Sequence, residues 1–150
     1  MIDEFDRYHN NYAQSIYEQI DNEGLSDRVI FSSPSHAEIG KFMNAVDVVT
    51  MPSISTPVWV EQYGRVAPEA MACGKIVIAS NTGAIPMLLN GHGLLFDEGN
   101  INDLTNKLKN IIVRGNSGFL FSSQEISDYA HKSLNTVNQA KSMLTFMGSI

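Results

Sequence analysis

The stretch Glu61-Gln62-Tyr63-Gly64-Arg65-Val66-Ala67-Pro68-Glu69-Ala70-Met71-Ala72-Cys73-Gly74, followed at once by Lys75-Ile76-Val77-Ile78-Ala79-Ser80, decides the fold. Two carboxylates with seven residues between them flank a glycine-containing loop that runs straight into a helix. An apolar strand comes next. Strand, glycine turn, helix start and strand again form the usual geometry for holding a nucleoside diphosphate, because a helix N-terminus offers unpaired amides and a partial positive charge.

Working outward, Asp47-Val48-Val49-Thr50-Met51 reads as a strand stopped by Pro52, and Gly93-Leu94-Leu95-Phe96 as another. Arg28-Val29-Ile30-Phe31 is a short apolar run of the kind that forms a buried strand. With Lys75–Ser80 the expected count is about four. Helices fill the intervals. Tyr8, Tyr12, Ile16 and Ile20 recur every four residues and predict a helix over 10–23, ended by Gly24. Ser35 with Glu38 forms a capping-box pattern for a short helix to Met43. Further helices are expected at 67–73, 85–89, 102–113 (capped by Asn102), 123–134 and 135–147, with a turn over 114–118. Strands separated by helices predict a parallel, Rossmann-like α/β sheet whose ligands lie beyond the carboxyl ends of the strands.

Composition narrows the function classes. The chain has 150 residues, 43% hydrophobic and 17% charged, which suits one folded domain. The domain is expected to span 1–150, with 123–150 as its C-terminal helices. A formal net charge of −6 argues against a broad nucleic-acid surface, so an anionic ligand has to be held by local amides and dipoles. No apolar run reaches transmembrane length, and the acidic start is no signal peptide. One cysteine, Cys73, fits a reducing cytoplasm. It is read as a packing residue on the helix facing the sheet. His9, His36, His92 and His131 share no ligand spacing, so no metal is expected.

The segment 47–97 resembles the donor-binding domain of the retaining, nucleotide-sugar-dependent glycosyltransferases of family 4 (group 1), which have the GT-B architecture. The matching residues are Glu61-x7-Glu69, Glu69-Ala70-Met71-Ala72-x-Gly74, Val77-Ile78-Ala79-Ser80 and Gly83-Ala84-x-Pro86. Asp27–Phe31, Asp47–Ser53 and Gly93–Phe96 match too, so the resemblance covers roughly 10–115. It implies transfer of a sugar from a nucleoside diphosphate donor (UDP, GDP or ADP type) to an acceptor hydroxyl, without a further cofactor. Glu61 would contact sugar hydroxyls and Glu69 the ribose. Gly64, Arg65 and Val66 would lie against the diphosphate, with Ser53 and Tyr63 lining the pocket. The alternative for the pair is a loop carboxylate and a first-turn glutamate favoured by the helix dipole. Trp59 either covers the sugar or packs, and packing is preferred. Phe31–Pro34 would lie near the base.

Departures from the pattern are Met87 after Pro86, where the family often has glutamate, Ile76 where it often has proline, and Ser33 in place of a glycine. The family's diphosphate-clamping Arg and Lys, and its acceptor domain with a catalytic histidine, would precede Met1. No catalytic residue is therefore assigned, and the isolated chain is expected to turn over slowly or not at all. An acceptor-binding domain or protein would supply the missing half. Peripheral membrane contact is compatible with that setting. Val137, Ala140, Met143, Leu144 and Met147 form an apolar stripe that needs a covering surface. Two other classes stand beside the enzyme reading: a non-catalytic partner subunit, and an unrelated doubly wound nucleotide binder.

Overall fold

The computed structural model describes residues 11–114 and 121–148. Two compact units are present, Met1–Ile39 and Gly40–Ile150. In the first, α1 (Asn11–Asn22) buries Ala13 and ends at Gly24, whose φ of +65° is open to glycine at no steric cost. The Leu25 amide returns to the Ile20 carbonyl at 2.9 Å and closes the end. Tyr8 lies outside the described residues, and Tyr12 is exposed.

Residues 28–31 are not a strand. The Arg28 and Val29 amides both bond back to the Leu25 carbonyl, so they close a turn rather than enter a ladder. Ile30 is 90% exposed. A four-residue apolar run becomes a strand only where a neighbour completes its hydrogen bonds. Phe31 instead sets its ring 4.3 Å from that of Tyr17. Glu38 does reach back to the Ser35 amide, at 3.1 Å, but the pair closes a turn ahead of α2 (Ile39–Asn44).

The second unit is built on three parallel strands among the described residues: β1 (Val48–Met51), β2 (Ile76–Ser80) and β3 (Leu94–Phe96), in the order β1-β2-β3. Val48 sits opposite Ile76, and Ile78 opposite Leu94. Every residue of the central strand is buried. That explains its unbroken apolar run, since a parallel strand is covered on both faces. Each fully buried Val or Ile there stabilises by about 1.5–3 kcal/mol relative to exposure.

Crossovers carry α3 (Val66–Ala72) between β1 and β2, and α4 (Ile85–Leu89) between β2 and β3. Helix α3 buries Ala67, Ala70 and Met71, and the small residues let it lie close to the sheet. It ends in a turn where the Gly74 amide bonds to the Met71 carbonyl and Lys75 to Ala70. Cys73 caps that end, half-buried, with Sγ 3.9 Å from the Asn44 amide group.

Helix α5 (Ile101–Arg114) follows β3. Its cap is Asn100, not Asn102: the Asn100 side chain accepts from the Asp103 amide at 3.0 Å. The predicted turn over 114–118 falls largely outside the described residues. Helix α6 (Ser123–Ser133) starts with a complete Ser122–Glu125 capping box, packs on α3 and buries Ile126 and Ala130. The Ser127 hydroxyl donates to the Ala72 carbonyl and the Tyr129 hydroxyl to the Leu88 carbonyl, both at 3.0 Å. Helix α7 (Thr136–Met147) is capped by Asn135 and has no buried residue. Among the described residues no helix is long and apolar enough to cross a membrane.

Candidate functional site

Loop 52–65, between β1 and α3, emerges from the carboxyl end of β1 and carries most of the predicted site. Its geometry starts from Gly64, which has φ +66° and is buried. That conformation turns the Gly64 amide toward Glu61, whose Oε1 accepts from it at 2.9 Å. The other carboxylate oxygen accepts from the Ser53 hydroxyl at 3.3 Å. Oε1 also accepts from the Tyr63 amide, at 3.5 Å. A carboxylate has about four lone-pair sites, so about one remains for a ligand hydroxyl. Glu61 is half-buried at the mouth of this loop.

A second contact fixes the Glu61 backbone. Its carbonyl accepts from the Ala84 amide at 3.0 Å, at the start of α4. Gly83 has φ +54°, and a Cβ on it would lie 2.1 Å from that same carbonyl oxygen. Gly83 is therefore required by close backbone approach. The loop after β1 and the loop after β2 touch only because residue 83 has no side chain.

Glu69 lies in the first turn of α3, half-buried, and its carboxylate makes no hydrogen bond or ion pair among the described residues. Arg65 precedes α3 with an exposed guanidinium that likewise has no partner among them. Val66 opens the helix, where the first amides lack intrahelical acceptors. Tyr63 is partly exposed, and its hydroxyl accepts from the Gln139 side chain of α7 at 3.1 Å. Trp59 pairs its backbone with Thr56 and leaves about half its surface exposed.

Of the predicted residues, Ser53, Glu61, Tyr63 and Gly64 are joined by hydrogen bonds. Arg65, Val66 and Glu69 share the start of α3, and Tyr63 is engaged with α7. The Gly64 amide is taken by Glu61, so the free amides begin after it.

Sequence reading did not find Ser55, Ser80, Thr82 and Glu98. The Ser80 hydroxyl donates to the Ser53 carbonyl at 2.7 Å, and Ser55 Oγ lies 2.6 Å from Thr82 Oγ1. Glu98, in the turn after β3, accepts from the Ser55 amide and, at 3.4 Å, from its hydroxyl. The bond from the Ser55 amide, then that from the Thr82 side chain, holds the Glu98 carboxyl below the usual glutamate range. The available signal was a run of small polar residues at strand ends, the position where parallel sheets bind ligands.

A shallow groove of about 410 Å³ borders α6 instead, where His92 stacks against Tyr129 at 4.0 Å and Phe121 at 4.5 Å.

The sequence pattern of the family described as "Glycosyl transferases group 1" matches residues 9–117. The D-inositol 3-phosphate glycosyltransferase of Mycobacteroides abscessus is 34% identical over 99 residues, which is 64% of this chain and 21% of that protein. The protein of the same name from Mycobacterium bovis is 41% identical over 68 residues, 45% of this chain and 13% of its own length. The chain thus spans about a fifth or less of these curated relatives. Among solved structures, Anabaena HepE in complex with UDP-glucose superposes with a TM-score of 0.79 at 26% identity, covering 95% of this chain and 38% of that one. Sucrose-phosphate synthase from Thermosynechococcus elongatus gives 0.74 at 26% identity, covering 92% and 34%. The expected parallel α/β fold of the GT-B kind is borne out by these neighbours, with three strands described where about four were expected.

Proposed function

Because the chain belongs to the group 1 glycosyl transferases, we propose that its 53–69 segment binds the nucleoside diphosphate sugar from which the complete enzyme transfers a sugar to an acceptor hydroxyl. The observation that carries this reading is the paired carboxylates on one loop–helix unit. Glu61 is held in place by three donors with one oxygen site still open, and Glu69 is half-buried without a partner among the described residues. Acceptor-only groups so placed suit the vicinal hydroxyls of a sugar and a ribose. Arg65 and the amides from Arg65 to Val66 complement the diphosphate, with Ser53, Tyr63 and Gly64 shaping the wall.

The UDP type is favoured among UDP, GDP and ADP, since the HepE neighbour is described with UDP and with UDP-glucose. Residues 1–150 are read as one donor domain of a cytoplasmic enzyme. In this reading catalysis comes from positioning the donor and stabilising the departing diphosphate.

Saturation-transfer NMR of the chain against UDP, GDP, ADP and their glucose conjugates tests the proposal. Transfer to one nucleotide, reduced in Glu69→Gln, is the expected result. A folded chain that receives no transfer from any of them, or a Glu69→Gln variant that binds equally well, sinks it.

A second reading is favoured by α7, where Val137, Met143, Leu144 and Met147 are each more than three-fifths exposed. This apolar face fits a covering acceptor domain or partner protein. Retention of a separately produced acceptor domain on the immobilised chain, lost in Leu144→Asp, is the check.

A further inference from the structure

Resting on the donor-site reading, we infer that Glu98 is a positioning residue for the donor. From the turn after β3 it holds Ser53–Ser55, and through that segment the Glu61 carboxylate, where the donor sugar needs it.

The loop has little apolar packing to fix it. Ile54 and Val58 are exposed, Val58 almost completely, and Trp59 and Val60 are each more than two-fifths exposed. Its position therefore depends on polar clips to the strand ends. Ser80, the last residue of β2, clips the Ser53 carbonyl at 2.7 Å. Thr82, itself 8% exposed, meets the Ser55 hydroxyl at 2.6 Å. Glu98 takes the Ser55 amide and reaches the hydroxyl of the same residue. Ser53 then passes the placement on, because its hydroxyl donates to Glu61 Oε2 at 3.3 Å.

A clip positions only if its own base is fixed, and Glu98 stands on a fixed turn. The Asp97 amide donates to Asp103 Oδ2 at 3.0 Å, and the Asn100 amide to the Asp97 carbonyl at 2.9 Å. Gly99 supplies the left-handed residue between them, at φ +73°. The Asn81 amide, bonded to the Phe96 carbonyl at 2.8 Å, ties the exits of β2 and β3 together. A charged acceptor gives the Ser55 amide a shorter and stronger bond than a neutral one. None of the motif residues that carry the family resemblance is Glu98; the topology brings residues 55, 82 and 98 together.

The test compares the chain with Glu98→Ala and Glu98→Gln, using amide hydrogen exchange and affinities for UDP and UDP-glucose. In Glu98→Ala, exchange at Ser55 and also at Gly64 is expected to rise roughly fivefold. UDP-glucose affinity falls roughly three- to tenfold while UDP affinity is unchanged, because Glu61 serves the sugar end. Glu98→Gln retains an acceptor oxygen and recovers most of both effects. Unchanged Gly64 exchange in Glu98→Ala overturns the inference, as does an equal loss of UDP and UDP-glucose, which would mean general damage. If the parent chain binds neither ligand, the donor-site reading fails by itself, and Gly64 exchange still decides whether Glu98 positions the loop.

Discussion

Replacing Gly83 by alanine separates two penalties that glycine usually hides together. The residue sits at φ +54°, where an L side chain costs about 1–2 kcal/mol. Its added Cβ would also lie 2.1 Å from the Glu61 carbonyl oxygen, 3.1 Å from the Glu61 carbonyl carbon and 3.0 Å from Val60 Cγ2. The first two are backbone atoms, which no rotamer change can move aside. The loop after β1 has to retreat, and the Ala84–Glu61 bond of 3.0 Å breaks at a further cost of about 0.5–1.5 kcal/mol. The expected total is about 1.5–3.5 kcal/mol. Gly91→Ala is the control, since Gly91 has φ +81° with nothing within 4 Å of its Cβ, so it registers strain alone. Gly64→Ala falls between them, because the close atom there is Met51 Cε, the far end of a flexible side chain. Urea unfolding of the three variants reads the series through the midpoint at constant slope. If Gly83→Ala costs no more than Gly91→Ala, the two loops do not touch as described, and the placement of Glu61 loses its support.

Glu69→Gln is expected to leave stability within about 0.5 kcal/mol, as its carboxylate has no protein partner among the described residues, while donor affinity falls roughly tenfold; calorimetric titration with UDP-glucose beside a thermal melt measures both. Ile126→Ala empties a fully buried site under α6 and is expected to cost about 3 kcal/mol by urea unfolding. The Ser122 amide, then the Ser122 hydroxyl, holds the Glu125 carboxyl below its ordinary range. A folded value below the unfolded one means that the capping box stabilises fully above the ordinary glutamate range and fades as pH falls through the lowered value. The urea midpoint of Glu125→Gln is thus expected below that of the parent at about pH 7, with the gap narrowing as acid protonates Glu125; an unchanging gap contradicts this.

What could be read from the sequence follows the range of the interactions concerned. Val77 and Ile78 announce β2 because a strand buried on both faces has to be apolar throughout. The run 28–31 looks equally strand-like, but strand formation depends on a neighbour, which residue types do not encode, and its amides are used by the Leu25 turn. Asn102 and Asn100 are both fit to cap α5, and only backbone geometry selects Asn100. In the site, Glu61, Gly64 and Glu69 were legible because their spacing along one loop and helix is itself the signal. Ser55, Thr82 and Glu98 were not, since they meet across 27 and 43 residues of chain. The close approach at Gly83 was visible as a glycine in a family motif, without the reason that demands it.

The sheet order β1-β2-β3 also has a kinetic side. Each ladder joins strands that are consecutive in the chain, so assembly requires no strand to be threaded between two already paired. The Ile78–Leu94 pairing closes a shorter loop than Val48–Ile76, and the entropy of closure rises with loop length. Refolding is therefore expected to seat β3 on β2 before β1 arrives. The Glu98 turn would then be in place before the loop that it clips, so that the loop settles onto a surface already formed.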